Sequence, residues 1–261
     1  MKRPRLVPWL TFFAGAAYFL LPLIATFEFS LRIRRGYYSF DAYRNVLADP
    51  QFGATLTYSV VIALLTIVVG VLLVVPAAYF VRLRLPGLRP YIEFVTLLPL
   101  IVPPIILVFG YIRMFNSSSY LPLTASAQGT DLLLVFGYAA LSLPYMYRAV
   151  DTGLRAIDVR TLTEAAQTLG AKTPTILIKV IFPNILVAVL SGAFLTFAIV
   201  IGEFVMASLL NRPAFGPYMQ NIGANKAYEP AALAIIAFGI TWVCMGLIQL
   251  VGRTQSMAKP K

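Results

Sequence analysis

Histidine is absent from these 261 residues and cysteine occurs once, at Cys244. Without imidazole the chain has no side chain that ordinarily titrates near neutral pH, and it lacks the commonest metal ligand. One cysteine cannot form an intrachain disulfide or a thiolate metal centre. No G-x4-G-K-[ST] run is present, and no other glycine-rich loop stands between a strand-like and a helix-like stretch. Nothing in the chain can therefore cradle the phosphates of a nucleotide. A Ser/His/Asp set or a metal cluster cannot be assembled, so the sequence points to no catalytic residue, no metal and no cofactor. Acidic residues are scarce too, 10 against 21 lysines and arginines.

What fills the chain instead is apolar: 59% of residues are hydrophobic, only 12% are charged, and the mean hydropathy is +0.82. Such a composition lies well outside the soluble globular range. The apolar residues also come in blocks, Leu6–Phe27, Thr55–Val81, Phe94–Ile112, Leu132–Tyr147, Val180–Gly202 and Pro230–Gly252. Most reach the roughly 20 residues a helix needs to cross about 30 Å of hydrocarbon. The expectation is an all-α polytopic membrane protein, one domain over 1–261, with spans near 6–30, 55–81, 92–114, 131–150, 178–207 and 230–252. The fourth block is short and carries Asp131 and Arg148 at its ends, so it either snorkels or sits inside the bundle. The basic start before an apolar stretch imitates a signal peptide. The stretch is too long for that and lacks a convincing A-x-A cleavage site, so it reads as a retained first span.

A net charge of +11 raises nucleic acid as a partner, but the basic residues sit at span ends and form no continuous face. That is how topology determinants are distributed. With the N-terminus inside, the inner segments hold Lys2, Arg3, Arg5, Arg82, Arg84, Arg89, Arg148, Arg155, Arg160, Lys172, Lys179, Arg253, Lys259 and Lys261. The outer segments hold the smaller share, so both termini are expected in the cytoplasm. Arg32, Arg34, Arg35 and Arg44 run against the rule in the first outer loop, which calls for a partner or an acidic neighbour there. Tyr37, Tyr38, Phe40 and Tyr43 beside them suit an interfacial helix at headgroup level. In the third block Pro99, Pro103 and Pro104 remove backbone donors. They mark either a simple kink or a broken helix lining a route.

The segment 158–175 is a polar island between apolar blocks. Thr161-Leu-Thr-Glu164 fits the [ST]-x-x-E capping box, Gly170 sits where a left-handed stop is wanted, and Thr173-Pro174 supplies a cap with proline at the next helix's first position. A short helix, a turn at Gly170 and a return to the membrane through Ile176–Pro183 are expected. Within it Glu164-Ala165-Ala166, three residues, Gly170, nine residues, Val180, one residue and Phe182-Pro183 follow in order. That spacing resembles the E-A-A-x3-G-x9-I-x-L-P signature of permeases of bacterial ATP-binding-cassette importers, with Val for Ile and Phe for Leu. The stretches Leu98–Pro104 and Leu143–Asp158 are similar to the same family, so the resemblance covers essentially the whole chain.

The resemblance implies a type I importer permease fold whose polar segment is a coupling helix seated in a cleft of the ATPase. It places Glu164, Ala165, Ala166, Leu169, Gly170 and Pro183 at that contact. It further implies an ATPase dimer that hydrolyses the ATP, a second permease chain of different sequence, an extracytoplasmic solute-binding protein and a bacterial inner membrane. The branch that moves polyamines, opines and amino-acid-like solutes is the most similar, with inorganic ions such as iron, sulfate or phosphonate as an alternative cargo. For the path, Glu203 is the charge most clearly inside a span, and intramembrane acids usually face a cavity or a partner. The competing reading is a helix-end residue. Tyr111 and Tyr145 are candidate path residues beside it, and Tyr138 and Phe197 could join them or simply pack. Ala188-x3-Gly192 allows close helix approach. Two rivals remain: a carrier or channel that needs no ATP, and a membrane scaffold with no route.

Overall fold

The computed structural model describes residues 6–34 and 36–257. Lys2, Arg3, Arg5, Arg35, Lys259 and Lys261, which enter the charge argument, lie outside them. Among the described residues all regular structure is helical. Of the described helices, five are long and apolar enough to cross a membrane, or six if one sharply bent pair counts as a single span. Backbone packing divides the chain into two compact units, Met1–Ala54 with Tyr218–Ile240, and Thr55–Pro217 with Thr241–Lys261.

In the first unit, α1 (Leu6–Ser30) is apolar all round and leaves Trp9, Phe12, Phe13, Tyr18 and Phe19 exposed. A helix with no polar face and little burial before its last residue, Ser30, is suited to lipid. The basic loop after it finds acidic neighbours within its own unit. Arg32 Nε donates to Glu28 at 2.6 Å, Tyr38 donates to the same carboxylate at 2.9 Å, and Arg34 pairs with Asp41. The aromatic stretch forms a short helix, α2 (Asp41–Leu47), which buries Ala42 and Val46. Tyr43 shares a 2.8 Å hydrogen bond with Ser30, and Asn45 donates to Glu229, the first residue of the last helix, at 3.2 Å.

The second unit holds most of the buried residues. Helix α3 (Pro50–Leu83) runs 34 residues, beyond both ends of the expected span. After a short turn, α4 (Arg89–Ile101) and α5 (Pro104–Met114) meet at a 95° bend. The bend decides between kink and break: Val102 is extended, with φ −85° and ψ 115°, and Pro103 and Pro104 supply no donors to continue α4. Helix α6 (Ala127–Arg155) is the most buried of the spans and, at 29 residues, much longer than its apolar block. It starts where the Ser126 side chain accepts from the Gly129 N–H at 3.0 Å. It continues through charged positions because the charges are paired within the protein, Asp131 with Arg212 at 2.6 Å and Asp151 with Arg89 at 3.3 Å.

Helix α7 (Val159–Thr168) is the polar island. Helix α8 (Thr173–Gly202) follows and packs along α6. The approach is close: a Cβ on Gly153 would stand 2.5 Å from the Ala188 methyl, and one on Gly192 2.8 Å from the Met146 sulfur. Ala188 and Gly192 therefore form the small-residue strip of α8 against α6. The short α9 (Val205–Leu209), α10 (Phe215–Asn225) and α11 (Glu229–Met257) complete the chain.

Candidate functional site

The polar island folds into a closed elbow. Its amphipathic order is simple, since Val159, Thr163 and Ala166 recur at helical spacing and all three are buried. They pack on a core that includes Tyr79, Val150, Leu154, Ile176 and Ile181. The Thr163 hydroxyl donates to the Val159 carbonyl at 2.7 Å, which leaves it to accept from the buried Tyr79 hydroxyl at 3.1 Å. The opposite face carries Glu164 and Ala165, and past the helix end Leu169 is 88% exposed. Leu169 is thus a bare apolar tip on an otherwise polar segment.

The elbow's closure rests on Gly170. Its φ is +76°, its N–H donates to the Gln167 carbonyl at 2.9 Å, and the Ala171 N–H donates to the Ala166 carbonyl at 3.0 Å. These are the two bonds of a Schellman stop, which needs a left-handed residue and favours glycine. The start differs from the capping box expected at Thr161. The cap is Asp158, whose carboxylate accepts from the Thr161 N–H at 3.1 Å and from its hydroxyl at 2.7 Å, while Glu164 pairs with Arg160 at 2.8 Å. The Asp158 carboxylate, three residues upstream of Thr161, reaches the free Thr161 amide, so the helix begins a turn earlier. Hydrogen bonding to Thr161 holds the Asp158 carboxyl below the usual carboxylate range. Likewise Lys172, not Thr173, is the capping residue of α8, and its side chain makes no cap bond.

The chain then returns through a wide turn. Residues Ile176–Ile181 are π-helical, and the Phe182 N–H reaches five residues back to Leu177. Pro183 lacks the N–H that the Lys179 carbonyl would otherwise receive, and a helix meeting such a gap can widen by one residue. The Asn184 amide donates to the Val180 carbonyl at 2.7 Å and closes the turn. Pro183 thus shapes the joint between elbow and span, at an exposed position on α8.

At the other end of α8 stands Glu203. It is not inside the helix: α8 ends at Gly202, Glu203 is extended with φ −77° and ψ 128°, and the expected continuation to 207 is a separate helix. Its carboxylate turns forward onto the free amides of α9, accepting from Val205 at 2.8 Å and from Met206 at 3.0 Å. The Tyr138 hydroxyl, from the buried side of α6, donates to it at 3.0 Å. A carboxylate so placed breaks the span and caps the next helix. Close by, Arg212 binds both Asp131 at 2.6 Å and the Tyr58 hydroxyl at 3.2 Å, and Ser59 accepts from the Phe215 N–H at 2.8 Å. These contacts tie the 203–215 segment to α3 and α6.

The sequence pattern of the family described as "Binding-protein-dependent transport system inner membrane component" matches residues 70–252. The chain belongs to that family. The molybdenum transport system permease protein ModB of Mycobacterium tuberculosis is 32% identical over 210 residues, 77% of this chain and 74% of the relative. The spermidine/putrescine permease PotC of Escherichia coli K12 is 28% identical over 67% of this chain and 64% of its own length. A probable permease of Sinorhizobium fredii, y4fN, is 26% identical over 91% of this chain, which spans only 43% of that relative. Among solved structures, a bacterial transporter that imports the acidic polysaccharide alginate has a chain matching 98% of this one with a TM-score of 0.70 at 12% identity. An amino acid transporter matches 84% with a TM-score of 0.56 at 18% identity. Both likenesses are of fold, and they agree with the all-helical architecture.

Within this family's fold the expected site residues fall into separate places. Glu164, Ala165, Leu169 and Gly170 share the exposed side of the elbow, whereas Ala166 faces inward at 8% exposure and helps to hold it. Glu203 and Tyr138 meet directly. Tyr111 lies near them, its ring edge 3.3 Å from where a Gly137 Cβ would stand. Tyr145 is half-exposed on α6, about 10 Å further along the axis from Tyr138. Phe197 is buried. Sequence reasoning missed the cluster around Asp151, whose carboxylate meets Arg89 at 3.3 Å, Arg155 at 2.8 Å and Arg82 at 3.8 Å. The i,i+4 pair Asp151/Arg155 was visible in the sequence; that Arg82 at the end of α3 and Arg89 at the start of α4 converge on it was not.

Proposed function

We propose that the chain is the permease subunit of an ATP-driven importer and forms part of the route for a small solute. The observation that carries this reading is the elbow: a helix capped at both ends, buried on one face, with Leu169 88% exposed beside the E-A-A-x3-G residues. A polar joint so well fixed at the base of two spans suits a separate motor, since the chain has no nucleotide loop of its own. Its partners are then an ATP-binding-cassette ATPase dimer, a second permease of different sequence and an extracytoplasmic solute-binding protein. Both termini face the cytoplasm, and the whole chain works as one permease domain without catalysing a reaction. ATP-driven closure of the motors draws the elbows together and opens the path outward, and hydrolysis resets it. Glu203, Tyr111 and Tyr145 are the residues proposed for the path or its gate, Glu203 as the break that lets α9 move against α8.

The proposed cargo is a small organic solute of the polyamine, opine or amino-acid-like class, supported by the likeness to the spermidine/putrescine permease. The 32% identity to a molybdenum permease favours an inorganic oxyanion as a second reading. Pull-down of the tagged chain tests the function: an ATP-binding-cassette ATPase is expected to be retained, and solute uptake by liposomes holding the chain without any ATPase would overturn the proposal. A thermal-shift comparison of spermidine, an amino acid and molybdate on the co-purified binding protein separates the cargo readings.

A further inference from the structure

We propose that Asp151 is a positioning residue that carries motion of the elbow to the broken helix α4–α5, a role that rests on the ATPase-coupled reading above. Its side chain is 12% exposed and meets three arginines from three elements, Arg82 at the end of α3, Arg89 at the start of α4 and Arg155 one turn on in α6. Glu93 of α4 closes the ring, bonded to Arg89 at 2.9 Å and standing 3.6 Å from Arg155. A carboxylate this enclosed is stable only while its cations stay in place, so the ends of α3, α4 and α6 are held as one block.

The block is joined to the elbow by short, stiff links. Arg155 ends α6 and Asp158 caps α7, leaving Ala156 and Ile157 between them. Tyr79, one turn before Arg82 on α3, is hydrogen-bonded to Thr163 of the elbow. Displacement of α7 must therefore drag Asp151 and its arginines. Helix α4, gripped at Arg89 and Glu93, passes the movement to the 95° break at Val102–Pro103 and on to α5. Cavities of about 300 Å³ and 280 Å³ flank the carboxylate, one lined by Arg82, Arg89 and Tyr147, the other by Glu93, Arg148 and Arg155. The ring is thus firmly paired yet has room to re-form in a second arrangement, which is what a transmitting element needs.

The test uses the complex purified with its ATPase in a Cys244→Ala background, with single cysteines placed at Leu169 on the elbow or at Met114 at the far end of α5. Maleimide labelling is compared without nucleotide and with ATP and vanadate. In otherwise native chains both rates are expected to change by about fivefold or more, the lower range of measured site-to-site coupling. In Asp151→Asn the change at position 169 persists and that at 114 is lost, and Asp151→Glu restores it. A position-114 response that survives Asp151→Asn, or that is missing from the native chain while 169 responds, overturns the proposal. Should Asp151→Asn fail to assemble, Glu93→Gln and Arg155→Gln at the exposed rim replace it, and an undiminished response in both is equally fatal. No response at 169 in the native complex refutes the coupling reading itself, a different failure.

Discussion

Replacing Gly170 isolates the elbow's geometry from its packing. A Cβ at this position meets no atom within 4 Å, so any effect of a side chain arises from the backbone, held at φ +76°. Alanine in the left-handed region costs about 1–2 kcal/mol, whereas asparagine tolerates it with less penalty. Proline fixes φ near −65° and deletes the donor that binds the Gln167 carbonyl at 2.9 Å. Together these exceed about 3 kcal/mol, so the elbow must abandon its closed form. A loss of 1–2 kcal/mol changes a population by about 5–30-fold, and binding to a motor falls with the fraction of elbows in the docking shape. Retained ATPase on the tagged chain should therefore rank glycine, asparagine, alanine, proline, with about fivefold loss for Gly170→Ala and more than about tenfold for Gly170→Pro. Thermal melting of the detergent-purified chain should move much less than ATPase retention, because the strain is confined to the elbow's turn and a side chain at 170 touches no span. Equal ATPase retention by the proline and glycine forms would refute the role given to the turn.

Other positions test other joints. Gly153→Val forces a branched side chain where the Ala188 methyl stands 2.5 Å from the Cβ position. Overpacking of about 1–3 kcal/mol should lower the melting temperature, and an unchanged melt would contradict the close α6–α8 approach. Glu203→Gln puts an amide NH2 where one carboxylate oxygen now accepts from backbone N–H groups. That mismatch should cost about 1–3 kcal/mol and alter uptake, whereas wild-type melting and kinetics would remove Glu203 from both roles. Asp158 yields a pH test. Its folded-state carboxyl titrates below its ordinary value because of Thr161, so its contribution is complete above about pH 4 and fades as pH falls through the lower folded value. Hydrogen exchange of the Thr161 amide, relative to Asp158→Ala, should show protection surviving at pH 4, and its absence there would exclude the cap.

The helical membrane architecture was legible because apolar blocks of span length have few other uses. The elbow was legible because glycine at the end of a polar helix, followed by Thr-Pro, is local chemistry. Its start was misplaced, since Asp158 and Thr161 are both able caps and only the fold shows which meets the free amides. The extent of α6 was hidden for a different reason. Asp131 and Asp151 look like span ends in a linear reading, yet Arg212 lies 81 residues from the one and Arg89 lies 62 from the other, pairings no local pattern reveals. Glu203 looked buried in a span because the apolar run continues past it, while the turn it makes depends on free amides at 205–206 and on Tyr138 across the helix pair.

The two breaks in the spans are made by opposite means, and this matters for how they can move. At Val102–Pro103 the chain lacks donors, so the bend is permanent and the angle between α4 and α5 is limited only by packing. At Gly202–Phe204 no proline intervenes, and the Glu203 carboxylate holds the amides of Val205 and Met206, so this break is conditional on a side chain. Helix α5 packs against α9, which brings the permanent hinge and the conditional one together. Under the proposed coupling, motion of the elbow reaches the segment capped by Glu203 by two routes, through α4 and α5 and along about 45 Å of α8. A carboxylate there has two oxygens with which to accept from the α9 amides and from Tyr138 together, where a serine cap offers one.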